Sequence, residues 1–253
     1  MSSHPAEAGF APGIACYLLS LDRLTDAAPA FSVDTFGPPE QAGTLAIHRA
    51  TLDPARHEAA ARNILPSGDR SRIETMREPA LRRARLLAHA GLRLVLAQRL
   101  GIPPRTIAFT AGPFGKPLLR DHPGTHVSIA WRADIAAFAV AAGRPVGIDV
   151  EIAPGQPDMD TVARWLFSSG EVASLDAAIP EHRPALFLAA WTRKEALCKA
   201  AGVTLDRMRG HDTRQASLTL ADSEGSRGSY AVMSFAGQTP AWSVAWREND
   251  QAF

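Results

Sequence analysis

RPVGIDVEI, residues 144–152, alternates Val146, Ile148, Val150 and Ile152 with Gly147, Asp149 and Glu151. A period of two is that of a β-strand with one apolar face, so the two carboxylates share the opposite face. Downstream, residues 191–200 read WTRKEALCKA. On a helix, residues four apart lie one above the other, which aligns Trp191 with Glu195 and Glu195 with Lys199. Three carboxylates from a strand and a helix suit a hard cation such as Mg²⁺, which takes few protein oxygens and completes its octahedron with water and phosphate oxygens. Phosphate chemistry is therefore the first functional expectation.

Upstream of this strand, residues 126–131 and 135–142 read as a hairpin turning at 132–134. Residues 107–110 are a short strand candidate, followed by a Gly- and Pro-shaped loop, 112–117, whose only cation is Lys116. A periodic helix carries Leu86, Leu87, Leu92, Leu94, Val95, Leu96 and Leu100 and closes at Gly101. An earlier helix opens at Asp53-Pro54, with Asp as cap and Pro in the first turn, and runs to Ile64 after a strand at 44–50. Residues 1–43 are rich in Ala, Pro and Gly, contain one strand candidate at 14–21, and are expected to be partly disordered.

Downstream of the strand, helices are expected over 158–167 and 169–179, the latter capped by Ser168 or Ser169, and over 181–201, ending at Gly202. Strands at 217–220, 230–235 and 242–246 complete an antiparallel meander. This order lacks regular βα alternation, which favours an α+β fold over a doubly wound parallel sheet. The same order of elements occurs twice, predicting two pseudo-symmetric lobes, 1–143 and 144–253, each a small mainly antiparallel sheet packed with a long helix.

A net charge of +1 over 253 residues argues against nucleic-acid binding, which needs a basic surface. Cys16 and Cys198 are the only cysteines, too few for a disulfide framework and without zinc-ligand spacing. Neither a membrane span nor a secretory leader is legible, so a cytoplasmic monomer without membrane contact is expected. The arginines at 70, 72, 77, 82, 83 and 85 read mainly as a solvated helix face, with Arg72 singled out as a phosphate ligand.

Three stretches together resemble the 4′-phosphopantetheinyl transferase superfamily in its long, pseudo-dimeric, surfactin-synthetase-activating type. Gly147-Ile148-Asp149-Val150-Glu151 is similar to the family's G-[VI]-D-x-E, and residues 191–199 to its W-x-x-K-E-[AS]-x-x-K. Gly115-Lys116-Pro117 matches a weaker upstream motif, and the likeness covers residues 45–246.

The resemblance implies transfer of the 4′-phosphopantetheine arm of coenzyme A to a serine of an apo acyl or peptidyl carrier protein, with release of 3′,5′-ADP. It implies Mg²⁺ on Asp149, Glu151 and Glu195, Glu195 also as the base, Lys199 at the diphosphate and Lys116 on the coenzyme. The family type implies a carrier from secondary metabolism, fatty-acid or siderophore synthesis.

One departure concerns a Ser-His-Ser or Ser-His-Thr triplet whose His touches a coenzyme phosphate. Ala130, Trp131 and Arg132 stand in its place. Either Arg132 supplies the charge and Trp131 a stacking surface, or coenzyme binding is impaired. Two other readings stay open: a non-catalytic carrier-binding homologue, and an unrelated Mg²⁺-dependent phosphohydrolase.

Overall fold

The computed structural model describes residues 14–19, 33–34, 45–152, 158–235 and 240–248. The expectation of partial disorder in residues 1–43 falls largely outside them. Seven strands form one sheet in the order β2 (Val33–Asp34), β1 (Ile14–Leu19), β3 (Leu45–Thr51), β7 (Ile135–Ala142), β6 (Thr125–Arg132), β5 (Pro117–Leu119) and β4 (Phe109–Ala111). Every neighbouring pair is antiparallel except β1 with β3, which is parallel. Four strands form the second sheet in the order β8 (Val146–Glu151), β11 (Ala241–Arg247), β10 (Arg227–Phe235) and β9 (Ser217–Ala221), all antiparallel.

Alternation along the strands stacks these sheets between helices. In β7, Ala136, Phe138 and Val140 join the core beneath α1 (Pro54–Ile64), α2 (Ser67–Glu74) and α3 (Pro79–Leu100). Ala137, Ala139 and Ala141 face the other way and meet Val146, Ile148 and Val150 of β8 and Val244 of β11. Beyond the second sheet, Leu218, Leu220, Tyr230 and Val232 pack against α4 (Met159–Leu166), α5 (Ser169–Asp176) and α6 (Arg183–Ala201). The result is four layers, helix, sheet, sheet, helix, an α+β fold with three apolar seams.

Local chemistry explains the helix limits. Asp53 caps α1 by accepting from Arg56 N at 3.2 Å, with Pro54 in the first turn. A capping box opens α5, where Ser168 and Glu171 each accept from the other's backbone N–H. Helices α3 and α6 end on Gly101 and Gly202, both left-handed at φ 66° and 68°.

Three elements depart from the sequence reading. Beyond the helix expected to end at Ile64, Ser67–Glu74 forms the short helix α2, which the sequence reading lacked. Asp69 of α2 pairs with the buried Arg93 of α3, which also donates to the carbonyls of Pro104 and Ile107. The strand expected at 107–110 begins at Phe109, and β5 was not foreseen.

Candidate active site

Because Val146, Ile148 and Val150 point toward the first sheet, Gly147, Asp149 and Glu151 point toward α6. A Cβ built on Gly147 would stand 2.0 Å from the Ala196 carbonyl oxygen and 2.5 Å from Ala200 N. Only glycine lets the helix lie this close to the strand, and that closeness brings Asp149 within reach of α6. Lys199 Nζ donates to Asp149 Oδ1 at 2.6 Å. Asp149, Glu151, Glu195 and Lys199 line one cleft of about 570 Å³, together with Lys116, Trp131 and Arg132.

Burial, followed by the Asp149 charge, raises the Glu151 carboxyl above its ordinary pKa, against the pull of Arg132 and Lys199. Burial and the same Asp149 charge raise Glu195, with Lys199 opposing and Glu151 adding to the rise. Three carboxylates thus sense one another across the cleft. Among the described residues no group of three or more His, Cys, Asp or Glu stands gathered as a metal centre. The donor set nevertheless fits a hard cation: Asp149 Oδ2 is buried without a hydrogen-bond partner, and crowded carboxylates lose their repulsion when a cation sits among them.

The neighbouring Lys194 and Glu195 turn to opposite sides of α6. Lys194 is fully buried, its Nζ 3.0 Å from Glu171 Oε2 and donating to the His211 carbonyl. Glu171 also accepts from the N–H and hydroxyl of Thr213. Lys194 is therefore a structural residue, tying α6 to α5 and the 208–213 loop. Trp191 stacks on Phe187 with ring centroids 6.2 Å apart. On the strand side, Thr192 and Ser243 share a 2.8 Å hydroxyl bond that fixes the helix to β11.

The expected coenzyme ligands are placed differently from one another. Lys116 lines the cleft, but its ammonium donates to the carbonyls of Lys199 and Ala200, at 2.5 and 2.9 Å, in the last turn of α6. It straps the 112–117 loop to the helix bearing Glu195 and Lys199, where a cation suits the helix dipole. Burial pushes its pKa down to about 8. Arg132 Nε sits 3.1 Å from Glu151 Oε2. Arg72 is exposed on α2 and is not part of the cleft wall. The arginine run instead contributes Arg85, one turn before His89 on α3, and both line the cleft.

Trp131 serves both the core and the cleft. Val127, Ile129 and Trp131 of β6 face α3, whereas Ala130 faces the second sheet. Trp131 packs on the core while also lining the cleft. Phe114, 72% exposed and at φ 53°, adds an aromatic to the rim. Sequence reading missed Arg85, His89 and Phe114, since their cleft partners come from distant segments.

Residues 145–249 match the model of the 4′-phosphopantetheinyl transferase superfamily. The 4′-phosphopantetheinyl transferase HetI of Nostoc is 30% identical over 141 residues, 54% of this chain and 60% of its own length. The 4′-phosphopantetheinyl transferase Sfp of Bacillus subtilis is 30% identical over 146 residues, 54% of this chain and 63% of its own. The L-aminoadipate-semialdehyde dehydrogenase-phosphopantetheinyl transferase of Eremothecium gossypii is 35% identical over 159 residues, 60% of this chain and 56% of its own. The chain thus spans a little over half the length of these curated relatives.

Proposed function

We propose that this chain, of the 4′-phosphopantetheinyl transferase superfamily through residues 145–249, transfers the 4′-phosphopantetheine arm of coenzyme A to a serine of an apo carrier protein. The observation that carries this reading is the meeting of Asp149, Glu151, Glu195 and Lys199 in one cleft between β8 and α6. In the transfer, the serine oxygen forms a bond to the phosphorus that bears the pantetheine arm. The bond from that phosphorus to the bridging oxygen breaks, and 3′,5′-ADP leaves.

Glu195 takes the serine proton, directly or through water, a role that typically contributes ~10²–10⁴ in rate. Lys199 places a point charge where negative charge gathers on the departing diphosphate oxygen. Lys116 holds the end of α6, and hence Lys199, in place. Asp149, Glu151 and Glu195 would hold Mg²⁺, which when bound neutralises charge on the phosphate oxygens and keeps the reacting groups in line. The two lobes, 1–143 and 144–253, meet at this cleft.

Asp149→Ala tests the ligand assignment. Its activity should fall and recover in part as Mg²⁺ is raised, because one protein oxygen is replaced by water. A variant whose rate depends on Mg²⁺ as the wild type does would remove Asp149 from the metal site.

A further inference from the structure

Alternation along β6 divides its side chains between two neighbours. Val127, Ile129 and Trp131 face α3, so Ser128, Ala130 and Arg132 face the second sheet. Two of these three make polar ties to β8. Ser128 Oγ accepts from Ile148 N at 3.0 Å, and Arg132 Nε lies 3.1 Å from Glu151 Oε2. Asp149 lies between the two positions pinned in this way. Arg132 is the last residue of β6, and Ala133, at φ 49°, turns the chain toward β7 directly after it. The guanidinium is therefore carried on the end of a paired strand, not on a loop.

The ion pair at Glu151 has a counterpart at Asp149. Lys199 Nζ lies 2.6 Å from Asp149 Oδ1, and Asp149 Oδ2 is buried without a hydrogen-bond partner. Each carboxylate thus has one oxygen on a cation of the chain, and its second oxygen is the one that suits a metal. A carboxylate that ligates through one oxygen is oriented by whatever holds the other, and such outer partners are typically worth about 10- to 100-fold in metal affinity.

We infer that Arg132 is a positioning residue for the divalent cation, acting through Glu151. The inference rests on the metal ligands of the transferase reading above, and it moves Arg132 out of the coenzyme-binding set expected from the sequence. Unless it is tied, a glutamate loses its rotamer freedom only when the cation arrives, and binding is weakened by that loss. The Arg132 side chain is 49% exposed, so water screens its repulsion of the cation while the pair still restricts Glu151.

Mn²⁺, a paramagnetic substitute for Mg²⁺, tests this without turnover. Free Mn²⁺ is followed by electron paramagnetic resonance during titration of the wild type, Arg132→Gln and Arg132→Lys, with and without coenzyme A and without carrier. Calorimetry gives the coenzyme A affinity of the same three proteins in the absence of divalent cation. Arg132→Gln should bind Mn²⁺ about tenfold more weakly, the low end of the range because the pair is half exposed, and should bind coenzyme A as the wild type does. Arg132→Lys, which can still pair with Glu151, should recover part of the loss. Unchanged Mn²⁺ affinity in Arg132→Gln overturns the inference, and a loss confined to coenzyme A would return Arg132 to the coenzyme. Tighter Mn²⁺ binding overturns it as well, since the guanidinium would then be a competitor for Glu151. A wild type that binds no Mn²⁺, with or without coenzyme A, overturns the metal assignment itself and the inference with it.

Discussion

Glu195→Gln is expected to fold as the wild type does while transfer falls by ~10²–10⁴ or more. The amide has nearly the shape of the carboxylate, so the packing of α6 on β8 is retained. It cannot accept the serine proton, and it is a poor ligand for a hard cation, so two functions fail together. Burial favours the substitution structurally, since the carboxylate is already raised by desolvation and by the Asp149 charge, and a neutral amide escapes both. Single-turnover kinetics with saturating coenzyme A and carrier give the measurement. Near-normal turnover would take Glu195 out of the mechanism.

Lys194→Met should lose ~3–5 kcal/mol of stability, because Glu171 would be left buried without its cation. Glu171 is opposed by burial, yet hydrogen bonds from Thr213 and Ser168 and the charge of Lys194 hold its pKa below the ordinary carboxylate value of 4.5. A depressed carboxylate contributes stability that is present above the unfolded pKa and is lost as pH falls through the folded one. Urea unfolding should therefore show the wild type losing this contribution only below about pH 4.5. Lys194→Met should be destabilised already at neutral pH. An unaltered urea midpoint at neutral pH would mean that the pair contributes nothing.

The chain's own pattern carried the architecture where period and caps agreed. The strand over 135–142 coincides with β7 because the turn at 132–134 and Gly143 mark the same limits. Asp53-Pro54 and Gly101 likewise mark ends that the structure uses. Alternation also placed Asp149 and Glu151 on the face that meets α6. It could not show how near that helix lies, which depends on the missing side chain of Gly147.

Local spacing was least informative where partners are remote in sequence. His89 has no ligand spacing of its own, since Trp131 reaches it from another layer. Within the arginine run, Arg72 and Arg85 look alike in sequence, and only the turn of α3 toward the cleft separates them. Arg93, to which the sequence reading assigns no role, is buried and bonded to Asp69 and two carbonyls. Helix α2 was hidden because Ser67-Gly68-Asp69 looks like a turn, while its hold on the fold comes from Ile73 and these distant bonds.

Transfer itself is tested most directly by the intact mass of several apo-carrier proteins after incubation with this protein, coenzyme A and Mg²⁺. The proposed activity predicts that a carrier gains the mass of one phosphopantetheine arm on its serine, and that Glu195→Gln leaves the same carrier unmodified. A panel of carriers that all stay at their apo masses, with coenzyme A either untouched or merely hydrolysed, would contradict it.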